Sequence, residues 1–95
     1  MLKASIKILR KLKDKHNVEW YEVEEAFANG SGEYLEDMRT EHQTNPPTVW
    51  FIAVTNSGRL LKVILIEQFN GDLEIKSAFE PSKIEVEIYE EQTKY

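Results

Sequence analysis

The pattern of apolar positions near the N-terminus predicts two helices. Apolar side chains recur there at intervals of three or four residues, which places them along one side of a helix, predicted to be buried, with the lysines opposite; they are Leu2, Ile6, Leu9 and Leu12, and His16 closes that side. A second helix follows Asn17 and Val18 and ends at Asn29 and Gly30, which tolerate the left-handed conformation past a helix C-terminus. Its predicted inward side chains are Trp20, Val23 and Phe27, and its outward ones are Glu22, Glu24 and Glu25.

The middle of the chain shows the composition and alternation of β-strands. Residues 32–39 predict an edge strand, and residues 40–47, with two adjacent prolines, predict a loop that cannot pair in a sheet. Residues 48–55 and 59–68 are rich in valine, isoleucine and aromatics, which predicts two central strands. Asn70-Gly71 predicts a hairpin turn with positive φ at both positions, leading to a fourth strand over residues 72–79.

A capping box at Ser82 and Glu85 predicts a third helix, with Ile84, Ile88 and Tyr89 facing inward. The predicted fold class is therefore α+β: two N-terminal helices, a four-stranded antiparallel β-meander and a C-terminal helix, with the helices on one face of the sheet. A chain of 95 residues has room for one core, so residues 1–95 are expected to form a single domain. The side chains predicted to be buried are Trp20, Val23, Phe27, Ile52, Val54, Val63, Leu65 and Ile88.

The composition excludes several classes of protein for this chain. The chain has no cysteine, which excludes disulfides, thiolate nucleophiles and cysteine-type zinc sites. No apolar run reaches the roughly 18 residues that a membrane span needs, and basic residues interrupt the N-terminus where a signal peptide would be apolar. We therefore expect a cytoplasmic protein that does not engage membranes.

Charge is unevenly distributed. Residues 1–17 hold six basic side chains and one acidic one, a charge of +5, whereas the remaining 78 residues hold six basic and sixteen acidic ones, a charge of −10. An acidic chain is a poor general nucleic-acid binder, because neutralised phosphates supply most non-specific affinity. The basic first helix is interpreted either as a local RNA-binding surface or, with more weight, as an ordinary solvated face.

Several short motifs, taken together in their order and spacing, resemble a known family. They are residues 15–18, residues 22–27, Ser57-Gly58-Arg59, Ser77-Ala78 and Tyr89-Glu90. In this order the chain, from about residue 6 to residue 91, resembles the BrnT family of small bacterial toxins. The resemblance implies a RelE-like fold and a ribonuclease that is neutralised by a small antitoxin. Family members often begin with a short extra strand, which here is expected to be missing or cut to Met1-Leu2.

The resemblance also implies a chemistry and the residues for it. RelE-like ribonucleases make the 2′-hydroxyl of RNA attack the adjacent phosphate, which requires cations around that phosphate and a proton-transfer group, but no metal or other cofactor. Arg59 matches the arginine of the family's turn and is the leading catalytic candidate. A structural role, as a surface arginine paired with an acidic residue, is given equal weight. Lys62 and Lys76 are candidates to assist it, although ordinary outward sheet residues are the more frequent case.

Other candidates concern binding. Arg39 and His42 fall in or beside the polar loop and could contact a partner or RNA, with a solvated loop histidine as the safer interpretation of His42. Tyr89 matches a family tyrosine and could bind RNA by stacking, although a core position is favoured. His16 is expected to pack at the helix corner rather than to act in catalysis.

Departures from the family pattern leave two functions open. Phe79 stands where the family has an arginine, and Val86 and Glu87 stand where a basic pair is usual. The chain is therefore expected to be either a toxin ribonuclease, paired with a ribbon-helix-helix antitoxin, or a catalytically degenerate interaction module. Such a module would bind a basic partner protein or self-associate, for example as a homodimer.

Overall fold

Three helices and five strands form the fold in the computed structural model, which describes residues 1–39 and 44–94. In chain order the elements are β1 (Leu2–Lys3), α1 (Ile6–His16), α2 (Trp20–Asn29), β2 (Leu35–Glu36), β3 (Thr48–Val54), β4 (Leu60–Glu67), β5 (Leu73–Phe79) and α3 (Lys83–Thr93). The sheet order is β1-β5-β4-β3-β2. The predicted α+β fold is confirmed, including the antiparallel meander from β2 to β5.

The sheet differs from the prediction in its two outer strands. The fifth strand, β1, pairs in parallel with β5 through Leu2 and Lys3, opposite Leu73 and Glu74. The predicted edge strand over residues 32–39 is reduced to Leu35–Glu36. Leu2 therefore belongs to the sheet. The apolar spacing, which predicts Leu2 on the first helix, is wrong at this residue.

Both long hairpins use one turn geometry. In each, a glycine with positive φ follows a tight turn: Gly58 has φ 88° and Gly71 has φ 92°. Gly71 donates its backbone N–H to the carbonyl of Gln68, and Gly58 donates to that of Thr55 in the same way. The predicted hairpin at Asn70-Gly71 is present, but Asn70 is not among the residues with positive φ, because the extra residue makes a bulged turn in which only the glycine needs that conformation.

The first helix is rotated relative to its predicted stripe. Ser5 caps its N-terminus by accepting from the Ile8 N–H, so the helix begins after Leu2. Leu12 is buried and Ile8 packs against the core, whereas Ile6 is 69% exposed. The helix ends at Asn17 in the left-handed conformation, with φ 54°. The predicted tight corner before α2 is therefore present, while the predicted burial of Ile6 and Leu9 is wrong.

The two faces of the sheet meet different helices. Trp50 and Phe51 are neighbours in β3 and so point in opposite directions. The Phe51 ring lies 4.7 Å from that of Phe27 in α2, and the Trp50 ring lies 5.7 Å from that of Tyr89 in α3. We call the Phe51 side the core face and the Trp50 side the open face. The expectation that all helices share one face is wrong, because α3 packs on the open face.

Most of the predicted core is confirmed. Val23, Ile52, Val63 and Leu65 are buried, and Trp20 and Phe27 are half-buried against the same cluster. The other members of the buried cluster are Leu12, Val18, Ala26, Phe51, Ala53, Leu61, Ile75, Ala78 and Tyr89. Burial of each large aliphatic side chain stabilises the fold by about 1.5–3 kcal/mol.

Two predicted core residues are exposed, and both lie at the open face. Val54 is 42% exposed at the hairpin end of β3, beside its partner Leu60, which is 39% exposed. Ile88 is 45% exposed, because α3 turns Tyr89 rather than its isoleucines toward the sheet. No helix in the described part of the chain is long and apolar enough to cross a lipid bilayer.

Candidate functional site

A cleft of about 310 Å³ opens at the open face where α3 does not cover the sheet. We call it the cationic cleft; its lining residues are Lys11, Arg39, Thr44, Thr48, Ile64, Ile66, Lys76 and Ser77. Thr48 pairs with Ile66 and Ile64 pairs with Ser77, so adjacent strands supply its floor. Three cationic side chains and three hydroxyls therefore surround a floor that includes two isoleucines.

Lys11 reaches this cleft from α1. The strand β1 covers β5 only at Leu73 and Glu74, so α1 can approach the edge of β5 farther along, where the Lys11 Nζ donates to the carbonyl oxygen of Lys76 at 3.1 Å. Partial burial lowers the pKa of Lys11, and the positive charges of Lys15, Lys76 and Lys7 lower it further. Within the described residues Lys11 forms no ion pair with a carboxylate.

Lys76 enters the cleft from a β-bulge. Ser77 pairs with Ile64 and Ile75 pairs with Leu65, so Lys76 is an extra residue with no direct partner on β4. Its Nζ lies 3.7 Å from the Glu74 carboxylate, and its side chain is 44% exposed. The Glu74 contact is long and both side chains are partly exposed, so the pair is weak and most of the lysine's charge remains available to the cleft.

Arg39 closes the opposite side of the cleft. Its Nη2 lies 2.9 Å and its Nε 3.1 Å from the two carboxylate oxygens of Asp37. Asp37 is buried, whereas the arginine side chain is 56% exposed. This fork geometry fixes the orientation of the guanidinium in the lining of the cleft.

The convergence of Lys11, Arg39 and Lys76 suits an anion. Positive charges that lie close together repel one another, which raises the electrostatic free energy of the site. An anionic ligand lowers that free energy. A phosphate diester also needs hydroxyl or amide donors beside the cations, and Thr48 and Ser77 lie in the same lining. Among the described residues no group of three or more histidine, cysteine or acidic side chains could hold a metal ion.

Arg59, the leading catalytic candidate, lies outside the cleft lining and is fully engaged. Its Nη1 donates to both carboxylate oxygens of Glu22 at 3.1 Å and to the Asn17 carbonyl at 2.8 Å. Its Nη2 donates to the His16 carbonyl at 3.2 Å, and its Nε lies 3.4 Å from Glu80. These contacts join the helix corner to the β3–β4 hairpin and favour a structural role. Glu22, predicted to face outward, is buried because it forms this pair.

Lys62 lies on the open face but its charge is already neutralised. Its Nζ lies 2.6 Å from the Glu85 carboxylate of α3 and 4.4 Å from the centre of the Trp50 ring. Burial alone would raise the pKa of Glu85, but hydrogen bonds from Lys62 and the Ser82 backbone lower it below its usual value. With a side chain only 12% exposed, Lys62 fastens α3 to the sheet.

The remaining candidates have structural surroundings or lie outside the described residues. The Tyr89 hydroxyl donates to the Glu33 carbonyl at 2.7 Å and its ring packs on Trp50, so the side chain anchors α3 rather than presenting itself for stacking. The His16 ring lies 5.4 Å from that of Phe79, at the expected corner. Burial, with the charges of Lys15 and Lys11, lowers the pKa of His16. The position of His42 lies outside the described residues.

The structure thus places Arg39 and Lys76, each beside a carboxylate of its own, in one cleft lining, and adds Lys11 to them. It keeps Arg59 and Lys62 in ion pairs outside that lining. Sequence reasoning noted the basic first helix but did not single out Lys11. Its signal is positional: Lys11 is next to Leu12 and three residues after Ile8, so it shares the side of α1 that faces the sheet. A lysine on that side is held near the sheet and not in bulk solvent.

Comparison with protein-family models, with curated proteins and with solved structures yields no match for this chain. The resemblance to the BrnT family therefore depends on the sequence motifs alone. The geometry of the cleft carries the functional argument.

Proposed function

We propose that this protein is the toxin component of a type II toxin–antitoxin pair, a BrnT-like cytoplasmic protein that binds RNA and cleaves it without a metal. The observation that carries the proposal is the convergence of Lys11, Arg39 and Lys76 on one cleft of an otherwise acidic protein. A small antitoxin of the ribbon-helix-helix type would neutralise it, as the resemblance implies.

The proposed reaction is an internal transesterification. The 2′-oxygen of RNA attacks the adjacent phosphorus, the bond from phosphorus to the 5′-oxygen breaks, and a 2′,3′-cyclic phosphate remains. Arg39 and Lys76 would stabilise the negative charge that grows on the non-bridging oxygens. Lys11, whose pKa is lowered, would give its proton to the departing 5′-oxygen, and the proton of the 2′-hydroxyl would pass to solvent.

The positions that depart from the family pattern, Phe79, Val86 and Glu87, lie outside the lining of the cationic cleft, as does the neighbouring Glu80. Phe79 packs against His16, and Glu80 pairs with Arg59. Neither position adds positive charge to the cleft, so the phosphate would be held by three cations at most. We therefore expect weak cleavage that depends strongly on each of those cations.

The proposal is tested with a fluorescent single-stranded RNA in buffer containing a chelator, together with growth after induced expression. Lys76→Ala and Lys11→Ala should each reduce cleavage by about 10²–10³-fold. The matched control is Lys83→Ala, an exposed lysine of α3 outside the cleft lining, which should leave cleavage unchanged. Cleavage that survives both cleft substitutions would contradict the proposal.

Binding can be measured separately from cleavage. Single-stranded RNA binding changes with salt by a logarithmic slope of about −0.7 for each phosphate contact, so three contacts predict a slope of about −2. Affinity should then fall roughly twentyfold between 50 and 200 mM salt, and Lys76→Ala should reduce the slope by about 0.7. An affinity independent of salt would show that the cleft does not bind the RNA backbone.

A second candidate function is a catalytically degenerate interaction module. The pairing of Lys62 with Glu85 favours it, because an acidic helix neutralises a lysine that would otherwise face RNA. No cleavage under any condition, together with tight binding to a basic partner protein, would select this alternative.

A further inference from the structure

A second depression lies on the open face between the edge strand β2 and the helix α3, beside the cationic cleft, since Trp50 in its lining pairs with Ile64 in the cleft lining. It measures about 390 Å³, and we call it the α3 groove; its lining residues are Leu35, Glu36, Met38, Trp50, Ile88 and Gln92. It shares no lining residue with the cationic cleft. The two sites can therefore be altered independently.

The groove gathers apolar side chains that the fold leaves uncovered. Met38 is 69% exposed and Ile88 is 45% exposed. Ile84, one helical turn before Ile88 and on the same side of α3, is 68% exposed. Single exposed apolar residues are ordinary, but a contiguous set around a groove marks an interaction surface.

The rim of this groove is acidic. Glu36 contributes to the lining itself, and the neighbouring surface at α3 is lined by three glutamates and one lysine: Glu87, Glu90, Glu91 and Lys94. The helix Lys83–Thr93 holds four glutamates and one lysine, and of the four only Glu85 turns toward the sheet, where it pairs with Lys62. Glu87 and Glu91 are four residues apart, so they form a stripe beside Ile84 and Ile88.

This combination of features identifies one kind of occupant. A second copy of the chain would bring the same acidic stripe against this one, which the repulsion of like charges disfavours. Addition of a strand at β2 would have only Leu35 and Glu36 to pair with. An amphipathic helix fits instead, because its apolar side chains recur at the spacing of such a groove while its flanks carry charge.

We propose that the α3 groove binds a basic amphipathic helix of a partner protein. The apolar side of that helix would cover Met38, Trp50 and Ile88, and its lysines or arginines would face Glu36, Glu87 and Glu91. The inference goes beyond RNA cleavage, because it concerns a separate surface and holds whether or not the cationic cleft binds RNA.

The test uses a synthetic helical peptide with leucines along one side and lysines along both flanks, compared with the same peptide carrying glutamates in place of the lysines. Fluorescence anisotropy at low salt should show that the lysine peptide binds at least about tenfold more tightly. Ile88→Lys should weaken binding by about tenfold or more, since it removes an apolar contact and adds a repelling charge.

Matched variants localise the binding. Ile6→Lys places the same charge on an apolar residue that is 69% exposed on α1, and it should not weaken peptide binding beyond the small effect of one distant charge. Glu87→Gln with Glu91→Gln should weaken binding and reduce its salt dependence, whereas Lys76→Ala should bind the peptide normally. Thermal melting of each variant confirms that it is folded.

Three results would overturn the inference. The first is equal affinity of the protein for the two peptides, and the second is equal loss of affinity in Ile6→Lys and Ile88→Lys. The third is a dimer in sedimentation experiments that Ile88→Lys dissociates, which would assign the groove to self-association. None of these results would bear on RNA cleavage, which is measured at the cleft.

Discussion

Replacement of Arg59 by methionine tests whether this arginine is structural. The change keeps the aliphatic length of the side chain but leaves the Glu22 carboxylate, only 10% exposed, without its cation. Removing one partner of a buried ion pair costs about 3–5 kcal/mol, and the 20% exposure of Arg59 places the expected loss near the lower end, about 3 kcal/mol. A domain of this size loses about 4–8 °C in Tm per kcal/mol, so the Tm should fall by roughly 12–24 °C.

Two controls separate this explanation from a general loss of charge. Arg59→Met combined with Glu22→Gln should recover part of the lost stability, because the second substitution removes the uncompensated carboxylate. The amide oxygen of the new glutamine side chain can still accept the hydrogen bond from the Glu19 N–H. Arg10→Met, at an exposed position of α1, should change stability by less than about 0.5 kcal/mol. Urea unfolding and thermal circular dichroism measure both. An Arg59→Met protein that melts like the wild type but no longer cleaves RNA would refute the structural role and restore the catalytic one.

Four further substitutions test the fold and its pH dependence. His16→Ala should lower stability by about 1 kcal/mol through lost packing on Phe79, while RNA cleavage by the folded fraction stays near normal; melting and cleavage assays on the same sample check both. Because the folded pKa of Glu85 lies below its ordinary 4.5, this carboxylate stabilises the fold above that pH and the contribution is lost as the pH falls below it. Glu85→Gln should therefore flatten the loss of stability in acid, as measured by urea unfolding at several pH values. Leu65→Ala should lower the free energy of unfolding by about 2–5 kcal/mol, whereas Ile88→Ala should lower it by well under about 1 kcal/mol. Comparable losses in the two variants would show that α3 buries its isoleucines in solution.

Elements whose signals are local in the sequence could be predicted. The cap at Ser82, the turn glycine Gly71 and the corner at Asn17 each depend on a few neighbouring residues, and each is present. The strands β3, β4 and β5 follow in the same way from their β-branched composition and the turns between them. Order and type of these elements then define the antiparallel meander.

Features set by contacts between distant segments could not be predicted. The rotation of α1 about its axis, which exposes Ile6 and turns Ile8 toward the core, depends on how the helix meets β5. The pairing of Glu22 with Arg59 joins residues far apart in the chain, so its glutamate was assigned to the surface. The exposure of Ile88 follows from the packing of α3 on the open face, a placement that helical periodicity alone does not contain.

The fold separates the basic and acidic side chains of the chain in space. The basic N-terminal helix places Lys11 in the cleft lining with Arg39 and Lys76, while Glu87, Glu90 and Glu91 of α3 lie outside that lining. A polyanion such as RNA would be attracted by the cations of the cleft and repelled by these glutamates, which would favour the cleft despite the net charge of −5. A cationic helix would experience the opposite preference. The same segregation of charge therefore favours an anionic ligand and a basic protein partner at separate sites on one sheet.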